Sequence, residues 1–183
     1  MKWVQAGAVW VPDGQQEAHA QFLSAEGPSS PVVAFSGHRP DKLLTSANDV
    51  YRWLLARLEA VKPSQAISGM ALGTDTLGAI AALKLGIPLV AAVAFQGQDQ
   101  HWPESDRKVY SKILARAADV TYVSGPGYNG WKYHARNQWM VDHADLVLAV
   151  WDGSSGGTKS CVEYALKKGV LIECFSQPGH SLG

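Results

Sequence analysis

The chain has 183 residues, 46% of them hydrophobic, with 16 basic and 16 acidic side chains and a formal net charge of zero. That length holds one α/β domain with a substantial core and leaves too little for two. No basic run exceeds the pairs Arg107-Lys108 and Lys167-Lys168, which argues against a strong nonspecific grip on a nucleic-acid backbone.

The first 30 residues are expected to be an N-terminal extension to which the sequence assigns no role. "AVWV" reads as a strand entering the turn "PDGQ", and "QEAHAQFLSA" as a short helix or a return strand. "EGPSSP" has the composition of a linker. The N-terminal "MKWVQAGAVWVPDG" is interrupted by Gln5 and lacks the sustained apolar core and cleavage site of a signal peptide.

From residue 31 onwards strands and helices alternate, and residues 31–183 are expected to form a single domain. "PVVAFSG" is a strand, and "SANDVYRWLLARLEAV" a helix with Val50, Trp53, Leu54 and Leu58 at helical spacing. Then come strand "QAISG", helix "TDTLGAIAALKLG" and strand "IPLVAAVAF". "PESDRKVYSKILARAA" opens with proline and acids, as helix N-termini do. Strand "DVTYVS", helix "WKYHARNQWMVDHA", strand "DLVLAVWDG", helix "TKSCVEYALKKG" and strand "VLIECFS" complete the series. Near-continuously apolar strands alternating with helices predict a three-layer, Rossmann-like, doubly wound and mostly parallel α/β sheet. A ligand site in such a fold lies beyond the C-terminal strand ends, where the strand order reverses.

Three strand-to-helix turns carry the candidate binding residues. They are "SGHRP" with Ser36, Gly37, His38 and Arg39; "SGMALGTDT" with Ser68, Gly69, Gly73, Thr74 and Asp75; and "WDGSSGGTKS" with Gly156, Gly157 and Thr158. Glycines and hydroxyls just before a helix offer free backbone N–H groups to an anion. Thr74 and Thr158 either cap their helices or bind a phosphate oxygen. Arg39 follows a strand-end Ser-Gly and can clamp a phosphate, or pair with Asp41. His38 either donates to a ligand or caps its turn. Arg136, near the second turn of its helix, gains nothing from the dipole there and suits an anion across the cleft, with Asn137 beside it. Phe95 and Trp102 are candidates to stack on a base, Trp102 having the alternative use of sealing its loop onto the domain. Trp53 and Trp139 fall on helical faces and are expected in the core.

Metal and classical hydrolase chemistry find no support. The six histidines, at 19, 38, 101, 134, 143 and 180, show no ligand spacing, and neither a Gly-x-Ser-x-Gly elbow nor a P-loop is present. No metal or cofactor is expected. Cys161 and Cys174 lack further partners, and with no apolar run long enough to span a membrane the expectation is a reduced, cytoplasmic protein.

The stretch "ISGMALGTDTLGAIAALKLGIPLVAAVA" resembles the central signature of DprA-type proteins. "FSGHRPDKL", "HWPESDR" and "YHARNQWMVDHADLVLAVWDGSSGGT" resemble still more the YpsA-like branch of the same SLOG superfamily, over about residues 31 to 176. The resemblance implies a Rossmann-like fold that binds nucleotides or nucleotide-derived molecules, and a homo-oligomer. Within the superfamily, LOG proteins cleave the base from nucleoside 5′-monophosphates, DprA proteins bind single-stranded DNA, and other members sense nucleotide signals. The LOG motif Gly-Gly-x-Gly-Thr-x-x-Glu is matched at Gly157 and Thr158, and its arginine at Arg136. Cys161 stands where that motif has glutamate. Glu163 lies two residues on, about 200° around the helix, so Arg136 and Glu163 are weak catalytic candidates. The expected function is therefore binding of a nucleotide-type small molecule without clear catalytic machinery. A DprA-like single-stranded DNA binder is the alternative, and a LOG-like phosphoribohydrolase the less favoured one.

Overall fold

A computed structural model describes residues 1–24, 27–43 and 45–175. Part of the linker "EGPSSP", the end of the last expected strand and residues 176–183 of the expected domain lie outside the described residues. The strands are β1 (Trp3–Ala6), β2 (Val9–Pro12), β3 (Val32–Gly37), β4 (Gln65–Ser68), β5 (Leu89–Val93), β6 (Asp119–Tyr122), β7 (Leu146–Val150) and β8 (Leu171–Cys174). The helices are α1 (Gln16–Phe22), α2 (Ala47–Val61), α3 (Thr74–Lys84), α4 (Glu104–Leu114), α5 (Trp131–Asp142) and α6 (Gly157–Lys168). A short 3-10 turn covers Pro40–Lys42.

The eight strands form one sheet in the order β1-β2-β8-β7-β3-β4-β5-β6. From β3 the chain proceeds outward through β4, β5 and β6 by parallel pairings, then returns to lay β7 along the other side of β3. β8 follows, parallel to β7. The strand order thus reverses between β3 and β7, the point at which a doubly wound sheet opens a crevice. The fold is the expected mostly parallel Rossmann-like α/β sheet.

Period-2 alternation divides the core into two layers. Val33 and Phe35 of β3, with Leu146, Leu148 and Val150 of β7, face the layer built by α2, α3 and α4. Ala34, Val147 and Ala149 face the layer of Met140, Val141, Cys161, Val162 and Ala165 from α5 and α6. The alanine-rich character of α3 has a packing cause: it lies so close to the sheet that a Cβ on Gly78 would overlap the Phe35 ring. Trp53 packs against Phe175, ring centroids 5.4 Å apart. Trp139 is half-buried and stacks on His143.

The N-terminal residues extend the same sheet. β1 and β2 form a hairpin around Gly7 (φ 62°) and Ala8, a two-residue turn whose first position calls for glycine. β2 runs antiparallel to β8 through the pair Trp10↔Cys174. "QEAHAQF" is a helix, α1, and brings His19 to Glu173 of β8. Glu173 is fully buried on the face where Leu171 and Phe175 pack. It survives there because His19 Nε2 lies 2.8 Å from Oε1, while Arg57 donates from Nε to Oε2 at 2.6 Å and from Nη2 to Oε1 at 2.7 Å. No helix among the described residues is long and apolar enough to cross a membrane.

Two measurements test this packing. Gly78→Ala is expected to destabilise by about 1–3 kcal/mol in urea unfolding through the clash with Phe35, although alanine is the better helix former. Burial works to raise the Glu173 carboxyl, but the bonds to His19 and Arg57 outweigh it and hold the group below its ordinary value of 4.5. Its contribution to stability is therefore complete above pH 4.5 and lost as pH falls through the lower folded value. Glu173→Gln should flatten that limb of the stability–pH curve, and Glu173→Ala, which strands the buried His19 and the part-buried Arg57, should cost about 3 kcal/mol or more.

Candidate functional site

At the crevice between β3 and β7 lies a cavity of about 310 Å³, at the lower end of the range of small-molecule sites. Ser36, Gly37, His38 and Arg39 wall it from the end of β3, and Asp75 from the start of α3. Arg136 and Asn137 enter from α5, and Gly156, Gly157 and Thr158 from the start of α6. Ten of the residues singled out in the sequence thus meet around one space.

Four others form the frame beneath it rather than its lining. Ser68 Oγ donates to the Asp75 carbonyl at 2.8 Å and accepts from the Met70 N–H at 3.1 Å. Thr74 Oγ1 donates to the His38 carbonyl at 3.2 Å, and its own N–H points to the same oxygen at 3.3 Å. The first two walls are therefore pinned to each other. Gly73 (φ 91°) has its backbone against His38 and Arg39, where a Cβ would collide with the His38 carbonyl. At Gly69 a Cβ would fall on the Arg136 guanidinium. Its lack of a side chain makes room for the arginine rather than for a ligand.

Arg136 is 4% exposed and held on three sides. Nη1 donates to the Gly69 carbonyl, Nε donates to Asn137 Oδ1 at 2.8 Å, and Nη1 lies 3.6 Å from Asp75 Oδ2. Asn137 in turn donates from Nδ2 to the Gly157 carbonyl at 3.3 Å, tying α5 to the α6 wall. Burial pushes the Asp75 carboxyl above its ordinary range, with Arg136 pulling it down. Arg39 differs. It is exposed, and among the described residues it makes no ion pair, so the alternative pairing with Asp41 is not formed.

His38 Nε2 lies 2.8 Å from Asp152 Oδ1, just beyond β7, and Asp152 also accepts from the Ser154 N–H at 2.9 Å. Burial opposes the Asp152 charge, but the bonds from Ser154 and His38 prevail and hold the carboxyl well below its usual range. His38 thus links the first wall to the third while facing the cavity. Lys42, a cation not singled out in the sequence, also lines the space. Arg39, Lys42 and Arg136 face one carboxylate there, Asp75, and the first N–H groups of α6 have no intrahelical acceptors. The lining therefore carries more positive than negative charge.

Trp102 is not part of it. It packs on the core through Tyr110, ring centroids 5.4 Å apart, which is the loop-sealing alternative. Phe95 is buried. Glu163 is exposed, 3.7 Å from Lys159, and does not line the cavity. Cys161 is buried, and desolvation pushes its thiol up to about 11. Tyr133 and His134 of α5, Gly130 before it, and Ser154 and Ser155 after β7 do line the cavity and were missed. The helical spacing 130, 133, 134, 137 is the signal that could have found the α5 group. Among the described residues no cluster of three or more ligating side chains suits a metal ion.

Comparison with known proteins agrees with this architecture. YoqJ of Bacillus subtilis (strain 168), an uncharacterized SPbeta prophage-derived protein, is 36% identical over 118 residues, spanning 55% of this chain and 68% of YoqJ. A UPF0398 protein of Bacillus cereus (strain B4264) is 28% identical over 157 residues, spanning 76% of this chain and 85% of the relative. In structure, the chain is similar to DNA processing protein A (DprA) from Helicobacter pylori, described for its single-stranded DNA binding mode. The TM-score is 0.60 at 19% identity, over 97% of this chain and 77% of that one. DprA from Streptococcus pneumoniae gives a TM-score of 0.59 at 22% identity over 83% of this chain, which spans half the length of the pneumococcal protein. The YpsA family model, described as the YspA SLOG family, matches residues 54–170, from α2 to the residue before β8. The chain is a member of that SLOG family.

Proposed function

We propose that the protein binds a nucleotide or nucleotide-derived molecule, with a phosphate held in the cavity between β3 and β7. The observation that carries this reading is the excess positive charge: Arg39 lines the cavity and, among the described residues, makes no ion pair, with the start of α6 on the same cavity wall. Around it, Lys42 adds a second exposed cation and Arg136 a buried, oriented one. Walls already pinned to one another suit a ligand that binds without large rearrangement.

The reading is of binding without LOG-type cleavage of the base. Glu163 faces solvent beside Lys159, and Cys161, at the motif's glutamate position, keeps a neutral thiol at pH 7. Neither lines the cavity, so neither is placed to assist cleavage of a ligand held there.

A second reading takes single-stranded DNA as the ligand. It is favoured by the likeness to the DprA fold, one member of which is described as binding single-stranded DNA. Zero net charge and the lack of a basic tract weigh against it.

A thermal-shift panel of nucleoside mono-, di- and triphosphates and a dT oligonucleotide tests both. A ligand at about 100 times its dissociation constant adds roughly 2.7 kcal/mol, a rise of several degrees in a domain of this size. Mononucleotides should give that rise and the oligonucleotide none. Arg39→Ala should remove it while leaving the ligand-free melting temperature unchanged. Gly157→Val should act likewise: a Cβ there meets only Asn137 Nδ2, at 3.9 Å, so the chain tolerates the side chain while the cavity does not. A panel without any shift, or both variants binding normally, would refute the placement. A salt-sensitive shift with the oligonucleotide alone would establish the second reading.

A further inference from the structure

We propose that Tyr128 and Tyr133 form a platform beside the cavity for the planar base of the nucleotide whose phosphate the cavity takes. This rests on the phosphate-binding reading and adds the class of ligand that the site selects. Tyr133 lines the cavity, and its ring lies 6.0 Å from the Arg136 guanidinium carbon. Tyr128 stands beside it, ring centroids 6.4 Å apart, and is 78% exposed. Beneath both lies Phe95, only 4% exposed, with centroids 6.1 Å from Tyr128 and 5.6 Å from Tyr133. The three rings lean edge to face on one another, and the exposed one has surface left for a further aromatic partner.

An exposed tyrosine in the segment "GPGYNG" should be poorly fixed, since such sequences hold few backbone bonds of their own. Here a buried lysine fixes it. Lys132 Nζ donates to the carbonyls of Gly125 at 2.8 Å, Pro126 at 2.9 Å and Gly127 at 2.6 Å, using all three ammonium hydrogens on the residues just before Tyr128. The same ammonium lies 5.6 Å from the Phe95 ring centroid. Burying a lysine is costly unless every donor is satisfied, and fold stability alone gives no reason to spend one on an exposed loop. A preset ring surface lowers the ordering cost of a base that stacks on it. Lys132 is therefore a positioning residue, Tyr128 the contact, and Phe95 the support rather than the contact expected of it.

Calorimetric titration with AMP, ribose 5-phosphate and a dT oligonucleotide tests the platform. AMP should bind the wild-type protein about tenfold or more tighter than ribose 5-phosphate. Tyr128→Ala should abolish that difference while leaving ribose 5-phosphate affinity unchanged, and Tyr128→Trp should keep it. Lys132→Met should shrink the difference without touching the ribose 5-phosphate arm, a split that general destabilisation would not produce. Equal loss for the oligonucleotide and none for AMP would assign the base to a single strand instead of a free nucleotide and overturn the small-ligand form of the proposal. Unchanged AMP selectivity in Tyr128→Ala would overturn the platform and leave phosphate binding standing. Failure of every phosphorylated probe to bind the wild-type protein would overturn both.

Discussion

The parallel pairing of β3 with β7, from Val33↔Leu146 to Gly37↔Val150, is the contact on which the rest of the molecule hangs. It joins the two halves of the sheet, and with the strand order reversing across it, the connections leaving β3 and β7 depart towards opposite faces. A gap opens between them that main chain alone cannot fill. Side chains and backbone from α3, α5 and α6 close its sides, and the cavity is what remains. The His38 N–H donates to the Val150 carbonyl, 3.1 Å away, so the ladder continues one residue past the strand ends into the wall itself.

Three of the buried charges organise the domain around that seam, each compensated differently. Glu173 is satisfied by two side chains from separate helices and acts as a rivet between α1, α2 and β8. Lys132 spends its donors on backbone carbonyls of a neighbouring loop. Arg136 keeps its bonds to Gly69, Asn137 and Asp75 while still lining the cavity. The first two are fully satisfied within the fold; the third is held by the protein and still borders the cavity.

Much of this architecture was legible from periodicity. Apolar strands such as "LVLAV" and the amphipathic α2 follow from patterning that burial on two faces, or one, demands. The three glycine-rich turns were legible as walls because strand-end chemistry is local. What the glycines do was not. Gly69 looks like a ligand contact in the sequence and is instead the space an arginine from 67 residues away requires. Trp102, in a polar loop, and Phe95, at the close of a strand, look like stacking candidates in the sequence, yet Trp102 packs on the apolar layer beside Tyr110 and Phe95 is buried. Tyr133 and His134 sit on a helix whose orientation only the tertiary packing sets. Hairpin strand β1 escaped because four residues with a half-exposed pattern carry little periodic signal.

The tie between the N-terminal hairpin and β8 has a consequence for handling the molecule. The family match ends at residue 170 and begins at 54, so its bounds exclude β1, β2, β3 and β8. A fragment cut to residues 31–175 would keep every cavity-lining residue but bare the outer edge of β8, whose backbone β2 now covers, and leave Glu173 with Arg57 as its one remaining side-chain partner among the described residues. An unprotected strand edge invites pairing with a second copy. Such a fragment would carry the whole cavity and still behave as a sticky, self-associating species, so a minimal unit has to be drawn by edge protection rather than by where the cavity lining stops.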